Sequence, residues 1–168
     1  MKTLDRMDVE ILMALQDDGR ASMAEIGEEI GLSASAVTRR LERLEADRVI
    51  LGYAALLNHK AVGLKMTAFV TVTLTKQSEE IIETFERAIV ELPEVAEVHL
   101  MAGSTDYLLR VISTDLEAYE SFLKRRLTRL RGVAHVQTAF SLSSLKAAPS
   151  VPLTHLVDAT DAQRKVVR

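Results

Sequence analysis

Between Ser33 and Arg43 the chain sets small hydroxyls and guanidinium groups at helical intervals: Ser33, Ser35, Thr38, Arg39, Arg40 and Arg43. Short hydroxyl side chains near a helix start let a backbone come close to a duplex, and arginine reaches guanine edges or phosphates. Such a set does recognition, not covalent chemistry. The alternative for the same pattern is a small helical bundle with a solvated polar face. Cysteine is absent, which removes thiolate nucleophiles, thiolate metal sites and disulfides. His59, His99, His135 and His155 have no metal-ligand spacing. No serine, histidine and acid set and no carboxylate pair stands in a catalytic context. No catalytic residue, metal or cofactor is therefore expected, and an enzyme on this chain would lack a nucleophile, a phosphate loop and a metal site.

Composition agrees with a recognition role. The 168 residues are 48% hydrophobic and 27% charged, enough for one or two small domains with real cores. Net charge is −3, yet the three arginines between Ser33 and Leu44 oppose only Glu42. An acidic domain with one basic helix can dock on DNA through that helix while its remainder limits indiscriminate binding. The start MKTLDRMDVE lacks a basic stretch followed by an apolar run, and no apolar run is long enough to cross a membrane. A cytoplasmic setting without membrane attachment is expected.

The elements that must hold the basic helix are legible around it. Leu4, Met7, Ile11 and Leu15 make one apolar stripe, predicting a first helix over residues 4–17. Ser22 and Glu25 form a capping box that opens a second helix, and Gly31 suits its left-handed end. Ser33 then caps a third helix with Val37, Leu41 and Leu44 on its core face. The pattern is helix-turn-helix. Ser22 at the start of the second helix joins the candidate DNA contacts. Arg39 and Arg40 are adjacent and cannot share a face. Arg39 and Thr38 are the expected base readers, Arg43 a phosphate contact, and Arg40 mainly a brace. Val49–Leu57 is β-prone and suggests a small wing or linking strand.

From residue 65 the period changes to two. Met66, Ala68, Val70, Val72 and Leu74 alternate with threonines and Phe69, which predicts a strand with one apolar and one threonine-rich face. Ser78 is placed to cap a helix reaching about Leu92, where Pro93 stops it. Strands are expected at Val95–Ala102, Tyr107–Ser113 and Val133–Leu142. Between the last two, a capping box at Thr114–Glu117 opens a helix to Leu130, with Leu116, Tyr119, Phe122, Leu123 and Leu127 for the core. The segment Leu92–Val98 is echoed at Leu130–Val136. The order βαββαβ is the ferredoxin-like sandwich, so the fold class is α+β. Its open face, carrying Phe69, Thr71 and Thr73, needs a partner, which predicts dimerisation. The basic run from Lys124 to Arg131 reads as a solvated face or as a surface for DNA wrapped around an oligomer.

Taken together, the residues resemble the Lrp/AsnC, or feast/famine, family of transcriptional regulators. The likeness lies in Leu4-Asp5, Asp8, Ile11-Leu12, Gly31-Leu32-Ser33, Val37, Arg40, Leu44-Glu45, Val49-Ile50 and Gly52-Tyr53. It continues in Gly103, Asp106-Tyr107, Tyr119–Phe122, Gly132-Val133 and Val151-Pro152-Leu153. The resemblance implies a winged helix-turn-helix domain at residues 1–52, a linker at 53–64 and a ferredoxin-like effector and oligomerisation domain at 65–153. A flexible tail is expected at 154–168. It further implies double-stranded DNA as partner, self-association into dimers and then tetramers or octamers, and an amino-acid effector. Carried over, the effector turn is Gly103, Ser104, Thr105 and Asp106, flanked by Met101, Ala102 and Tyr107. Thr138 and Ser141 of the last strand are further candidates. Turn amides can hold a carboxylate, and Asp106 can pair with an ammonium or fix the turn. The chain departs from the family pattern at Arg48, where a glycine usually relieves a left-handed helix end, so either backbone strain there or a different helix end is expected. A protein that coats DNA without an effector shares these features and is the competing reading.

Overall fold

Three helices follow from their caps and stripes. In the computed structural model, which describes residues 4–146 and 150–156, α1 spans Arg6–Asp17, α2 Met23–Ile30 and α3 Ala34–Ala46. Asp5 and Asp8 form a reciprocal capping box at the start of α1, and Ser22 and Glu25 form one at α2. Ser33 caps α3 by accepting the Ala36 amide. Gly31 ends α2 at φ 73°, the left-handed region. Ile11, Ile26, Val37 and Leu44 are the buried centre of the three helices. One close approach sets the turn between α2 and α3. A Cβ on Gly27 would lie 2.5 Å from the Leu32 carbonyl oxygen, so only glycine lets the turn fold back that tightly.

No strand forms over Val49–Leu57, which corrects the expected wing. A strand exists only with a hydrogen-bonded neighbour, and this segment has no strand neighbour among the described residues. Leu51, Leu56 and Leu57 are exposed. Tyr53 turns back to donate to Glu45 at 2.8 Å. Arg48 lies at φ 59°, so the strain expected at the end of α3 is present.

The second unit, Leu56–Lys146, is a four-stranded antiparallel sheet in the order β2-β3-β1-β4. Its elements are β1 (Met66–Leu74), α4 (Glu79–Ile89), β2 (Val95–Leu100), β3 (Tyr107–Ser113), α5 (Leu116–Arg125) and β4 (Val133–Phe140). Both helices cover one face. Phe85, Ile89, Tyr119 and Phe122 pack on Ala68, Val70, Val72, Leu109 and Val111, all buried. This is the ferredoxin-like arrangement the alternation predicts. The echoed segments close the same turn twice, with the Val95 amide on Leu92 at 3.0 Å and the Val133 amide on Leu130 at 3.3 Å.

Several details differ from the sequence reading, among them Ser78, whose side chain makes no capping bond to α4, a helix that ends at Ile89. The helix expected to reach Leu130 ends at Arg125, followed by a 3-10 turn at Leu127–Arg129. Thr128 ends it by donating its hydroxyl to the Leu123 carbonyl at 2.9 Å, supplying a partner that the helix itself no longer provides. Asp115, not Thr114, is the cap of α5, accepting the Ala118 amide at 2.8 Å. Leu116 is exposed and stands outside the core. Finally, the described residues 150–156 group with the N-terminal unit, and the second unit covers Leu56–Lys146. Gln16 explains this: its side chain accepts the Val151 amide at 2.6 Å and donates to the Val151 carbonyl at 3.3 Å. Thr154–Leu156 are helical, and the rest of the expected tail lies outside the described residues.

Candidate functional site

The exposed face of α3 carries Ser33, Ser35, Thr38 and Arg39. Ser33 and Ser35 hydroxyls lie 3.2 Å apart, and Thr38 donates its hydroxyl to the Ala34 carbonyl at 3.0 Å. That bond uses the proton of Thr38 and leaves its oxygen able to accept. Among the described residues Arg39 pairs with nothing. Ser22 is exposed at the start of α2, where the helix dipole and its amides favour an anion.

Arg40 and Arg43 point the other way. Arg40 donates from Nη1 to Asp5 and to Asp8, each at 2.7 Å, and Arg43 donates from Nη2 to Asp8 at 2.5 Å. Asp8 is buried at 1% exposure. The bracing role expected of Arg40 fits this geometry. Arg43, expected on phosphate, is held by the same carboxylate. Burial alone would raise the Asp5 carboxyl, but the Arg40 hydrogen bond, the Asp8 amide and the two guanidinium charges outweigh it and hold its pKa below the usual value. The hydrogen bond to Asp5 does most to raise the pKa of Arg40. Sequence reading names Asp5 and Asp8 only among the residues that carry the family resemblance. Spacing within one helix does not reveal a contact across 32 or 35 residues.

The turn between β2 and β3 places Ala102, Gly103 and Ser104 in the open. The Met101 amide closes the turn on the Asp106 carbonyl at 2.8 Å, and the Asp106 amide donates to Val72 at 3.0 Å. Among the described residues no acceptor takes the amides of residues 102–105. Gly103 does not lie in the left-handed region, and a Cβ there would meet nothing within 4 Å. Asp106 fixes the turn, with one carboxylate oxygen accepting the Leu74 amide and the other the Gln77 side-chain amide, each at 2.7 Å.

Two of the flanking candidates are placed inward. Tyr107 is buried at 1% exposure, stacks 4.7 Å from Phe85 and donates to Glu86 at 2.9 Å. Burial, then the Glu86 carboxylate, pushes its hydroxyl up to about 12. It is a core residue of the second unit, since strand alternation turns its side chain under the sheet. Thr138 lies on the helix-covered face, 2.5 Å from the Tyr119 hydroxyl. Ser141 follows β4, its amide on the Thr67 carbonyl at 2.9 Å and its hydroxyl on the Ser143 carbonyl at 3.3 Å. The turn itself therefore holds Met101–Thr105 together, while Tyr107 and Thr138 serve the core behind it.

The open sheet face is as the alternation predicts. Thr67, Phe69, Thr71 and Thr73 lie beside Ile112, Arg110 and Leu108 on one side and Ala139, Gln137 and His135 on the other. Phe69 is 41% exposed. Arg110 reaches Glu97 at 2.6 Å across this face. The basic run is largely compensated: Lys124 pairs with Glu120, Arg126 with Glu94 at 3.1 Å, and Arg131 with Glu80 at 3.0 Å. Among the described residues no helix is long and apolar enough to cross a membrane, and no cluster of three metal-ligating side chains occurs.

A helix-turn-helix unit joined to a ferredoxin-like sheet defines a DNA-binding transcriptional regulator with a ligand-binding domain. Residues 4–45 match the AsnC-type helix-turn-helix domain and residues 67–151 the Lrp/AsnC ligand binding domain, so the chain belongs to the Lrp/AsnC family. It is 42% identical to the Bkd operon transcriptional regulator of Pseudomonas aeruginosa, over 91% of this chain and 100% of that one. It is 39% identical to the leucine-responsive regulatory protein of Escherichia coli strain K12, covering 86% of this chain and 88% of that one. A transcriptional regulator from Neisseria meningitidis, solved as an L-Met complex, superposes with a TM-score of 0.88 at 37% identity, covering 92% of this chain and 99% of that chain.

Proposed function

We propose that this regulator binds operator DNA sequence-specifically through α3 and responds to an amino acid held at the turn between β2 and β3. Arg39 and Thr38 read base edges, with Ser22, Ser33 and Ser35 against the backbone. The sensor units pair through their open sheet faces, and pairs assemble further into tetramers or octamers. Pairing matters because one recognition helix touches few base pairs, so selectivity needs two at fixed spacing. The protein acts in the cytoplasm, without membrane attachment and without a catalytic role.

The observation that carries the effector is the turn at residues 102–105, whose amides have no acceptor among the described residues and whose Gly103 has no internal reason to be glycine. Successive exposed amides suit a carboxylate. The L-Met complex of the Neisseria relative supports an amino acid as the ligand class. Asp106 holds the turn in shape in this reading, its carboxylate being taken by Leu74 and Gln77.

Two measurements test the two halves. Duplexes enriched from a random pool by the full-length protein should lose about 1–3 kcal/mol of binding in Arg39→Ala. Equal binding by the variant would remove Arg39 from the reading face. A thermal-shift screen of the common amino acids, followed by light scattering with each hit, should find at least one that raises the melting temperature and changes the oligomer size. DNA binding with no response to any amino acid would instead favour a protein that organises DNA without an effector.

A further inference from the structure

Asp8 is a buried carboxylate placed directly behind a helix that meets a polyanion. It accepts from Arg40 at 2.7 Å, from Arg43 at 2.5 Å and from the Asp5 amide at 3.0 Å. Asp5 accepts a second bond from Arg40 at 2.7 Å. Two of the three guanidinium groups on α3 are thus matched by carboxylates of α1. Arg43 nevertheless keeps 50% of its side-chain surface exposed, within reach of solvent and of any phosphate close to α3.

Sequence-independent affinity for DNA comes almost wholly from cations that displace counterions at phosphates. Each uncompensated arginine on α3 adds to that affinity everywhere along a duplex and narrows the margin by which a true site is preferred. A carboxylate that holds the arginine raises the cost of giving it to phosphate. It also fixes the angle of α3 against α1, which sets where Arg39 points.

We propose that Asp8, assisted by Asp5, is a specificity-determining residue of DNA recognition. It withholds Arg40 and Arg43 from phosphate, leaving Arg39 as the uncompensated guanidinium of α3 and suppressing binding to random sequence. This rests on α3 being the helix that meets DNA.

The test uses the full-length protein, a random-sequence duplex and the duplex that the wild type enriches from a random pool. Affinities are measured over a salt series for the wild type, Asp8→Asn, Arg43→Gln and the double variant. Asp8→Asn keeps the shape and the acceptor for the Asp5 amide while removing the charge. It should tighten binding to the random duplex about three- to tenfold and steepen the log–log salt slope by about one. The ratio of specific to random binding should fall. Arg43→Gln alone should leave the slope unchanged, and added to Asp8→Asn it should bring the slope back toward the wild-type value. A merely structural role for Asp8 weakens binding to both duplexes without steepening the slope. An unchanged slope in Asp8→Asn overturns the proposal. So does a slope reduced by about one in Arg43→Gln alone, because Arg43 would then already contact phosphate. If Asp8→Asn fails to fold, Asp5→Asn replaces it, since the Asp5 side chain is 53% exposed and outside the core. A rise in random-duplex binding then supports the proposal, and no change overturns it. Failure of the wild type to enrich any sequence, with Arg39→Ala binding random duplex as the wild type does, would mark failure of the α3 assignment itself.

Discussion

Two turns carry the glycines that matter here, and they are built in opposite ways. The turn between α2 and α3 is filled by the chain's own contacts. Gly27 lies against the Leu32 carbonyl, Gly31 adopts the left-handed conformation, and the Leu32 amide bonds Gly27 at 2.8 Å. Among the described residues, the turn between β2 and β3 is tied at its edge, by Met101 and Asp106, and the amides of residues 102–105 have no acceptor. Gly103 needs neither an unusual φ nor the missing Cβ for anything among the described residues. A glycine with an internal reason reports on folding. One without such a reason leaves room for something from outside, which is why the second turn is the better ligand candidate.

Substitutions can break or sharpen that contrast. The largest effect is expected outside both turns, at Gly132, which has φ 92° and whose added Cβ would lie 2.4 Å from an Ile81 methyl. Gly132→Ala combines left-handed strain with overpacking and should cost roughly 2–4 kcal/mol in denaturant unfolding. Gly27→Ala should cost about 1–3 kcal/mol and weaken DNA binding with it, because the clash is with backbone that sets the turn. A loss below about 0.5 kcal/mol at Gly27 would show that the turn relaxes freely and would weaken the contrast. Arg48→Gly relieves a left-handed arginine and should stabilise the N-terminal unit by up to about 1 kcal/mol. A loss there would mean that the arginine side chain makes a contribution larger than the strain.

The parts of this molecule written in local patterns were legible from sequence. The caps at Ser22 and Ser33, the alternation from Met66 to Leu74 and the echo of Leu92–Val98 at Leu130–Val136 each follow from nearest-neighbour chemistry. They were enough to define both units. What escaped depends on distant or absent partners. Asp8 reaches Arg43 across 35 residues, and Gln16 reaches Val151 across 135, and neither pairing has a local signature. Val49–Leu57 has strand composition without a strand, since composition supplies no neighbour to bond. Among the effector candidates, Tyr107 follows the turn in sequence but alternates under the sheet, so adjacency to the turn does not mean an outward side chain.

We expect the open turn at residues 102–105 to receive an amino acid and not a contact of the chain itself. Calorimetric titration of the amino acids into the wild type and Gly103→Val tests this most directly. An added Cβ at Gly103 meets nothing within 4 Å, so Gly103→Val should melt close to the wild type, while its branched side chain fills the turn and stiffens its backbone. At least one amino acid should bind the wild type, and the same one should bind Gly103→Val at least tenfold more weakly. Equal binding by the two proteins, or no binding to the wild type by any amino acid, would contradict the account.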